Sequence, residues 1–268
     1  MFANFMIGIR EGLEAALIIG ILVAYLKKTS QQSKYRFIAL GVLAALATAV
    51  LAGLGLTFLD EQASDHTEIL ITGTTSLLAV AFVTWMVFWM AKTSKNLSKE
   101  IHSKMEEASN LSLFVIAYLT VVREGVETSI FLWTAAKTTG EGQTAWLGAI
   151  VGILAAAVLG YWIFKGMLRI NLGKFFQYTG TYLLVLTAGI FAYAIGEFTE
   201  LGFLPETQTA YDLSGITPEG SVLEVTLKGT LGYNPTPTVL QVAAWATFLV
   251  ISVGIYLRQY RRTARKLV

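Results

Sequence analysis

The chain has 268 residues, of which 54% are hydrophobic and only 14% charged, at a formal net charge of +2. Soluble domains average about 25% charged residues, so this composition, with a mean hydropathy of +0.60, excludes a soluble globular protein. Cysteine is absent, which excludes disulfides and thiolate metal sites, and nothing in the charge pattern supports a nucleic-acid partner.

The apolar residues fall in blocks of about 20, the length that crosses ~30 Å of hydrocarbon. In chain order they span 2–26, 37–59, 69–91, 111–136, 144–164, 175–203 and 239–257. Continuous apolarity predicts helices, since barrel strands alternate and are about half as long. The first block opens MFANFMIGIREGLEAALIIG, with no basic n-region and no small-residue cleavage site. It therefore reads as a span and not as a cleaved signal peptide. Between spans six and seven, residues 204–238 hold all four prolines (Pro205, Pro218, Pro235 and Pro237) and read as an ordered or semi-ordered outer loop.

Lys and Arg counts predict the orientation. Lys27, Lys28, Lys34 and Arg36 follow span one; Lys92, Lys95, Lys99 and Lys104 follow span three. Lys165, Arg169 and Lys174 follow span five, and the tail carries Arg258, Arg261, Arg262, Arg265 and Lys266. Only Lys137 and Lys228 fall on the opposite side, where Asp60, Glu61, Asp65, Glu68, Glu141, Glu206, Asp212, Glu219 and Glu224 gather. The N-terminus is expected outside and the C-terminus in the cytoplasm.

The two remaining arginines lie inside spans, in a repeated motif. Arg10-Glu11-Gly12-Leu13-Glu14 returns as Arg123-Glu124-Gly125-Val126-Glu127. Each copy opens a group of three spans, entered from opposite sides of the bilayer. That predicts inverted repeats, 1–91 and 111–203, sharing a site near the midplane. The fold class is thus all-α: a polytopic membrane protein of seven transmembrane helices, a 3+3 inverted repeat plus a seventh helix. Residues 1–268 are expected to form a single transmembrane domain, with the seventh span and basic tail at 239–268.

A carboxylate at the bilayer centre costs at least ~2.5–3.5 kcal/mol, so four of them need a compensating role. Glu11 and Glu14 share a helix face, as do Glu124 and Glu127; Arg10 and Glu14 are four apart and can pair, as can Arg123 and Glu127. Gly12 and Gly125 permit close helix approach beside the acids. Four carboxylates around one volume suit a hard or borderline cation such as iron, manganese, calcium or magnesium. The two guanidinium groups leave a formal −2 for that cation to neutralise. Neither histidine lies in a motif: His66 and His102 fall in loops. The plain alternative, interhelical salt bridges, is disfavoured because buried ion pairs stabilise poorly relative to apolar packing.

At these residues the chain resembles the oxidase-dependent iron permease family of fungi and bacteria, and its bacterial branch most. The resemblance extends to TWMVFWM (84–90), RINLGKFFQYT (169–179), AYDLS (210–214) and GTLGYNPTPTVLQVAAW (229–245). It implies iron uptake across the cytoplasmic membrane as a multi-pass permease, not an enzyme, with the motif glutamates as metal ligands. Iron would be the transported substrate, with no permanently bound cofactor. Beyond the lipid bilayer, implied partners are an extracytoplasmic iron oxidase or peroxidase and an iron-binding protein. GEFTELGFLP (196–205) departs from the bacterial pattern, with Thr199 in place of a histidine.

Glu197 and Glu200, one turn apart at the outer end of span six, are a candidate outer gate or recruiting site, and equally read as solvated acids at headgroup level. Asp212 matches a loop aspartate of the family, although by its chemistry alone an ordinary loop acid is the simpler reading. The Asp60–Glu68 acids could concentrate cations, although a solvated acidic loop is the simpler reading. Trp85, Phe88 and Trp89 read as an interfacial aromatic belt. Gly41, Ala45, Thr48, Ala52 and Gly55 read as a packing stripe on span two. Tyr182, Thr187 and Tyr193 read as packing with a possible path role. Three alternatives stay open: transport of another divalent cation such as lead or manganese, a membrane ferroxidase without flux, and a proton-coupled carrier of an organic substrate.

Overall fold

The structure, a computed structural model, describes residues 2–61, 65–93, 109–139, 142–166, 171–218 and 220–265. The basic residues Lys95, Lys99, Lys104, Arg169 and Lys266, with His102, Glu141 and Glu219, lie outside the described residues. Among the described residues the helices are α1 (Phe2–Lys28), α2 (Tyr35–Glu61), α3 (Asp65–Thr93), α4 (Asn110–Thr139), α5 (Gly142–Phe164), α6 (Leu172–Glu200), α7 (Val222–Leu231) and α8 (Val239–Arg265). A 3-10 turn, Gln32–Lys34, links α1 to α2. The described residues contain no strand, only an isolated antiparallel bridge between Thr209 and Thr238.

Seven of these helices have 23 to 30 residues. At 1.5 Å per residue even the shortest is about 35 Å long. Five of the seven (α2, α3, α5, α6 and α8) are both long and apolar enough to cross a membrane. The other two, α1 and α4, are equally long but carry the motif charges at their centres.

Rows of large apolar side chains face outward with nothing over them: Leu43, Val50, Leu51 and Leu54 on α2, and Leu147, Ile150, Val151 and Leu154 on α5. A soluble chain could not expose so much contiguous apolar surface. Lipid covers such rows without cost, because only the backbone must be satisfied internally there.

α1 packs along α5, α2 along α4, and α3 along α6, with α8 laid against α6. The motif helices α1 and α4 also touch each other. The packing stripe expected on α2 holds at Gly41, Ala45 and Thr48, whose hydroxyl lies 3.3 Å from that of Tyr118. It then runs through Ala49 and Gly53, which meet α4, while Gly55 touches nothing. The i+4 ridge, not the i+7 drift through Ala52 and Gly55, follows the neighbouring helix.

The segment between α6 and α8 is more structured than a loop. α7 starts with Ser221, whose hydroxyl caps Glu224 N, and the Glu224 carboxylate in turn accepts from Gly220 N at 2.7 Å. It stops at Gly232, which takes the left-handed conformation (φ 64°) and presses its backbone against that of Gly189 in α6. A Cβ at either glycine would collide with the other's main chain. Ala210 and Val239 then tie the segment to the start of α8 through Pro237 O and Gln208 O.

Candidate metal centre

The motif helices are seated from behind. A methyl on Gly12 would come 2.7 Å from Ala156 Cβ of α5, and one on Gly125 the same distance from Ala49 Cβ of α2. Both glycines therefore make close approaches, but to α5 and α2, not between α1 and α4. Their role is to let the flanking helices press close, while the glutamates project from other faces of α1 and α4.

One carboxylate oxygen from each of Glu11, Glu14 and Glu124 lies within 4.8 Å of the other two, and all three residues are buried. Glu127 is buried as well, but is held by Arg123, whose Nε donates to its Oε1 at 3.1 Å. In every one of the four, Oε2 is buried without a hydrogen-bond partner. At an effective dielectric of ~20, two unit charges 4.8 Å apart repel by about 3–4 kcal/mol. Ionised together at this spacing, the three carboxylates would need a cation or protons to offset their repulsion.

The arginines are not equivalent. Arg10 is fully buried and donates through Nη1 to Glu11 Oε1 at 3.0 Å. The expected partner, Glu14, does not receive this bond; the adjacent carboxylate intercepts the guanidinium and leaves Glu14 turned to Glu124. Arg123 makes the expected i,i+4 pair with Glu127 and lies 3.8 Å from Glu124. Its side chain is 31% exposed, against 1% for Arg10.

Arg123 also covers the rings of Trp85 and Trp89, 5.0 and 4.7 Å from their centroids. The sequence reading gave these tryptophans no chemistry. Their i,i+4 spacing made them a helix-face pair, but nothing linear ties residue 85 to residue 123; α3 lying against α4 does. The two rings stack at 6.3 Å and supply the negative faces that a buried cationic group prefers.

At the end of the bundle where α1 begins, Glu197 lies against Gly73 of α3, whose added methyl would stand 3.2 Å from Glu197 Cβ. Tyr193 hydrogen-bonds Glu197, with Glu200 and Glu68 close enough to act on it electrostatically. Glu68 is the one member of the Asp60–Glu68 acidic group whose side chain is described. A cavity of about 440 Å³ opens nearby, lined by Ala3, Ala135, Gly189, Tyr193, Tyr233 and Gln241 among others. Thr187 is buried and bonds its own helix at Leu183 O, and Tyr182 packs edge-on to Phe2.

Asp212 is remote from the glutamates. Its Oδ1 accepts from the Ser214 hydroxyl at 2.6 Å and from Ser214 N at 2.9 Å, which holds the carboxyl below its ordinary range. Glu224 is likewise lowered, by Lys228 Nζ at 2.7 Å and then by Gly220 N. Both acids organise the segment between α6 and α8.

The profile of the family described as "Iron permease FTR1 family" matches residues 1–262. The chain is 36% identical over 260 residues to the ferrous iron permease EfeU of Escherichia coli O157:H7, covering 93% of each chain. It is 32% identical over 271 residues to the ferrous iron permease EfeU of Yersinia pestis, covering 98% of this chain and 96% of the relative. No solved structure matches it. With several helices apolar enough to cross a bilayer and a match over nearly its whole length, the chain belongs to the iron permease FTR1 family and is a multi-pass cell-membrane transporter, not an enzyme.

Proposed function

We propose that this protein takes up iron across the cytoplasmic membrane through a midplane site made by its two Arg-Glu-Gly-x-Glu motifs. The observation that carries this reading is the set of three buried carboxylate oxygens, from Glu11, Glu14 and Glu124, within 4.8 Å of one another. All-oxygen donors at that spacing suit a hard or borderline divalent or trivalent cation. Iron is favoured because the relatives named above are ferrous iron permeases. Glu127 completes the site when the cation draws it from Arg123, whose charge then offsets the remaining acid.

The reading includes seven spans related as inverted repeats, with the N-terminus outside. Helix pairing supports it: exchanging α1 with α4, α2 with α5 and α3 with α6 turns the α1–α5 and α2–α4 pairs into each other and returns α3–α6 to itself. Small-residue contacts support it too. Gly12 meets Ala156 and Ala16 meets Gly160, while Gly125 meets Ala49 and Ser129 meets Gly53. The first members of these pairs are 113 residues apart between repeats, and the second members 107. The basic loops set the direction.

The test is iron flux into proteoliposomes containing this protein alone, with ferrous and ferric iron compared to fix the species carried. Glu14→Gln and Glu127→Gln should each lower uptake by at least about tenfold, since even outer-shell changes weaken metal sites that much. Parent-like uptake by both variants would sink the midplane-ligand reading. Flux of manganese or lead at the iron rate would instead point to a general divalent carrier. Iron oxidation without flux would point to a ferroxidase.

A further inference from the structure

Threonine and serine inside apolar helices ordinarily return their hydroxyl to the carbonyl four residues back, because no water is there to take it. This chain follows that rule at Thr84, Thr128, Ser129, Thr179, Thr187 and Thr199. Among the described residues, three buried Ser and Thr hydroxyls find no partner at all. Thr72 and Ser76 of α3 and Thr134 of α4 are 3%, 0% and 0% exposed, and their Oγ atoms have no hydrogen-bond partner. An unmatched buried hydroxyl is a standing cost, so three of them in one region call for a role.

They share a level in the bundle. α3 and α4 run in opposite directions, and Arg123 sits over Trp85 and Trp89. Eleven residues up α4 from Arg123 is Thr134; eleven residues back along α3 from the midpoint of the two tryptophans is Ser76. At 1.5 Å per residue both climb about 16 Å. Thr72 lies one turn further along the same face of α3, beside Gly73, which abuts Glu197. Ala135, next to Thr134, lines the cavity together with Tyr193, the partner of Glu197. By level, Thr72 thus stands beside Glu197, with Ser76 and Thr134 about one turn nearer the buried carboxylates. On the carboxylate side lies an apolar layer of Ile7, Val80, Val83, Phe131 and Ile190.

We propose that Thr72, Ser76 and Thr134 form a neutral-oxygen relay that takes a partly hydrated iron cation from the Glu197 end of the bundle and passes it towards Glu127 and Glu11. This rests on the permease reading and adds a second cation position to it. Hydroxyl oxygens replace part of the hydration shell without the tight hold of carboxylates, which allows the ion to move on. The apolar layer then separates the relay from the glutamates until the bundle rearranges.

The experiment measures initial uptake of ferrous iron, kept reduced with ascorbate, into proteoliposomes holding the full chain. Variants are Ser76→Ala, Thr134→Val, the two combined, and the conservative Thr134→Ser. The combined variant should transport about tenfold more slowly, Thr134→Ser within about twofold of the parent. High-affinity iron binding to the detergent-solubilised protein should be unchanged, because the four glutamates are untouched and the relay holds its ion only weakly. Removing unmatched hydroxyls should also raise Tm, which a packing role would not. Parent-rate uptake by the combined variant, or equal loss in Thr134→Ser and Thr134→Val, overturns the relay. Should the combined variant not fold, Ser76→Ala alone decides, with parent-rate uptake counting against. A parent protein that moves no iron overturns the permease reading itself, whereas a working parent with indifferent variants overturns only the relay.

Discussion

The two arginines occupy matching places in the repeated motif, yet the fold treats them differently. Arg10 is enclosed and bonded to its neighbour Glu11, whereas Arg123 is partly open, bonded to Glu127 and laid over Trp85 and Trp89. Arg123 is therefore the better placed to release its carboxylate when a cation arrives. Lysine keeps the charge but loses the planar group that stacks on indole and reaches two acids at once. Arg123→Lys should slow iron uptake about fivefold, matching ~1 kcal/mol of lost cation–π contact. Initial rates in proteoliposomes check this; a parent-like rate would mean that the tryptophans matter only for packing. The Glu11–Glu14 and Glu124–Glu127 pairs were legible from i,i+3 spacing. The Arg123–Glu127 pair was legible too, from its i,i+4 spacing. That Glu11, Glu14 and Glu124 converge was not, because spacing along one helix says nothing about the crossing of two.

Among the helices, the contacts between repeats depend on small residues at set positions. Gly125 has only Ala49 Cβ against it, at 2.7 Å from an added methyl. Gly125→Val places three more carbons in a filled seam, and overpacking of that kind costs about 1–3 kcal/mol. Thermal unfolding in detergent should show a clear drop in Tm, while the same change at Gly55, which touches nothing, should leave it near the parent value. The sequence identified a small-residue stripe on α2 that holds through Gly41, Ala45 and Thr48, but carried it on to Ala52 and Gly55 where the contact runs through Ala49 and Gly53, all of them small. The short helix α7 was also missed. Its signals, a Ser221-x-x-Glu224 cap and Gly232 at the stop, were present in a segment whose prolines argued for loop.

The whole molecule is a bundle whose outward apolar rows leave its charge to the centre and the ends. At the end where α1 begins, the segment between α6 and α8 is organised by Asp212 and Glu224, each held below its ordinary carboxyl range by local donors. A lowered folded-state value means that these contacts are in full force above the unfolded value, about pH 4–4.5. They fail as pH falls through the lowered value. Measured against each amide's intrinsic rate, hydrogen exchange over residues 212–218 and 220–228 should therefore stay flat between about pH 5 and 7 and rise only below about pH 4. A rise that begins near neutrality would point to other groups. This segment carries part of the wall of the cavity through Lys228, Tyr233 and Asn234, so acid should open the bundle at this end first.

Composition, block length and the repeated Arg-Glu-Gly-x-Glu motif were enough to read a helical membrane protein with a duplicated acidic site. Each of those features is local: an apolar run must be buried in lipid wherever it goes, and a charge inside it must find a partner. The tertiary structure alone decided which helix each glycine meets, which acids converge, and which hydroxyls go unmatched. Those outcomes turn on the register between antiparallel helices far apart in sequence. A shift of one residue turns a side chain by about 100° around its helix, and no pattern within a single helix encodes that register.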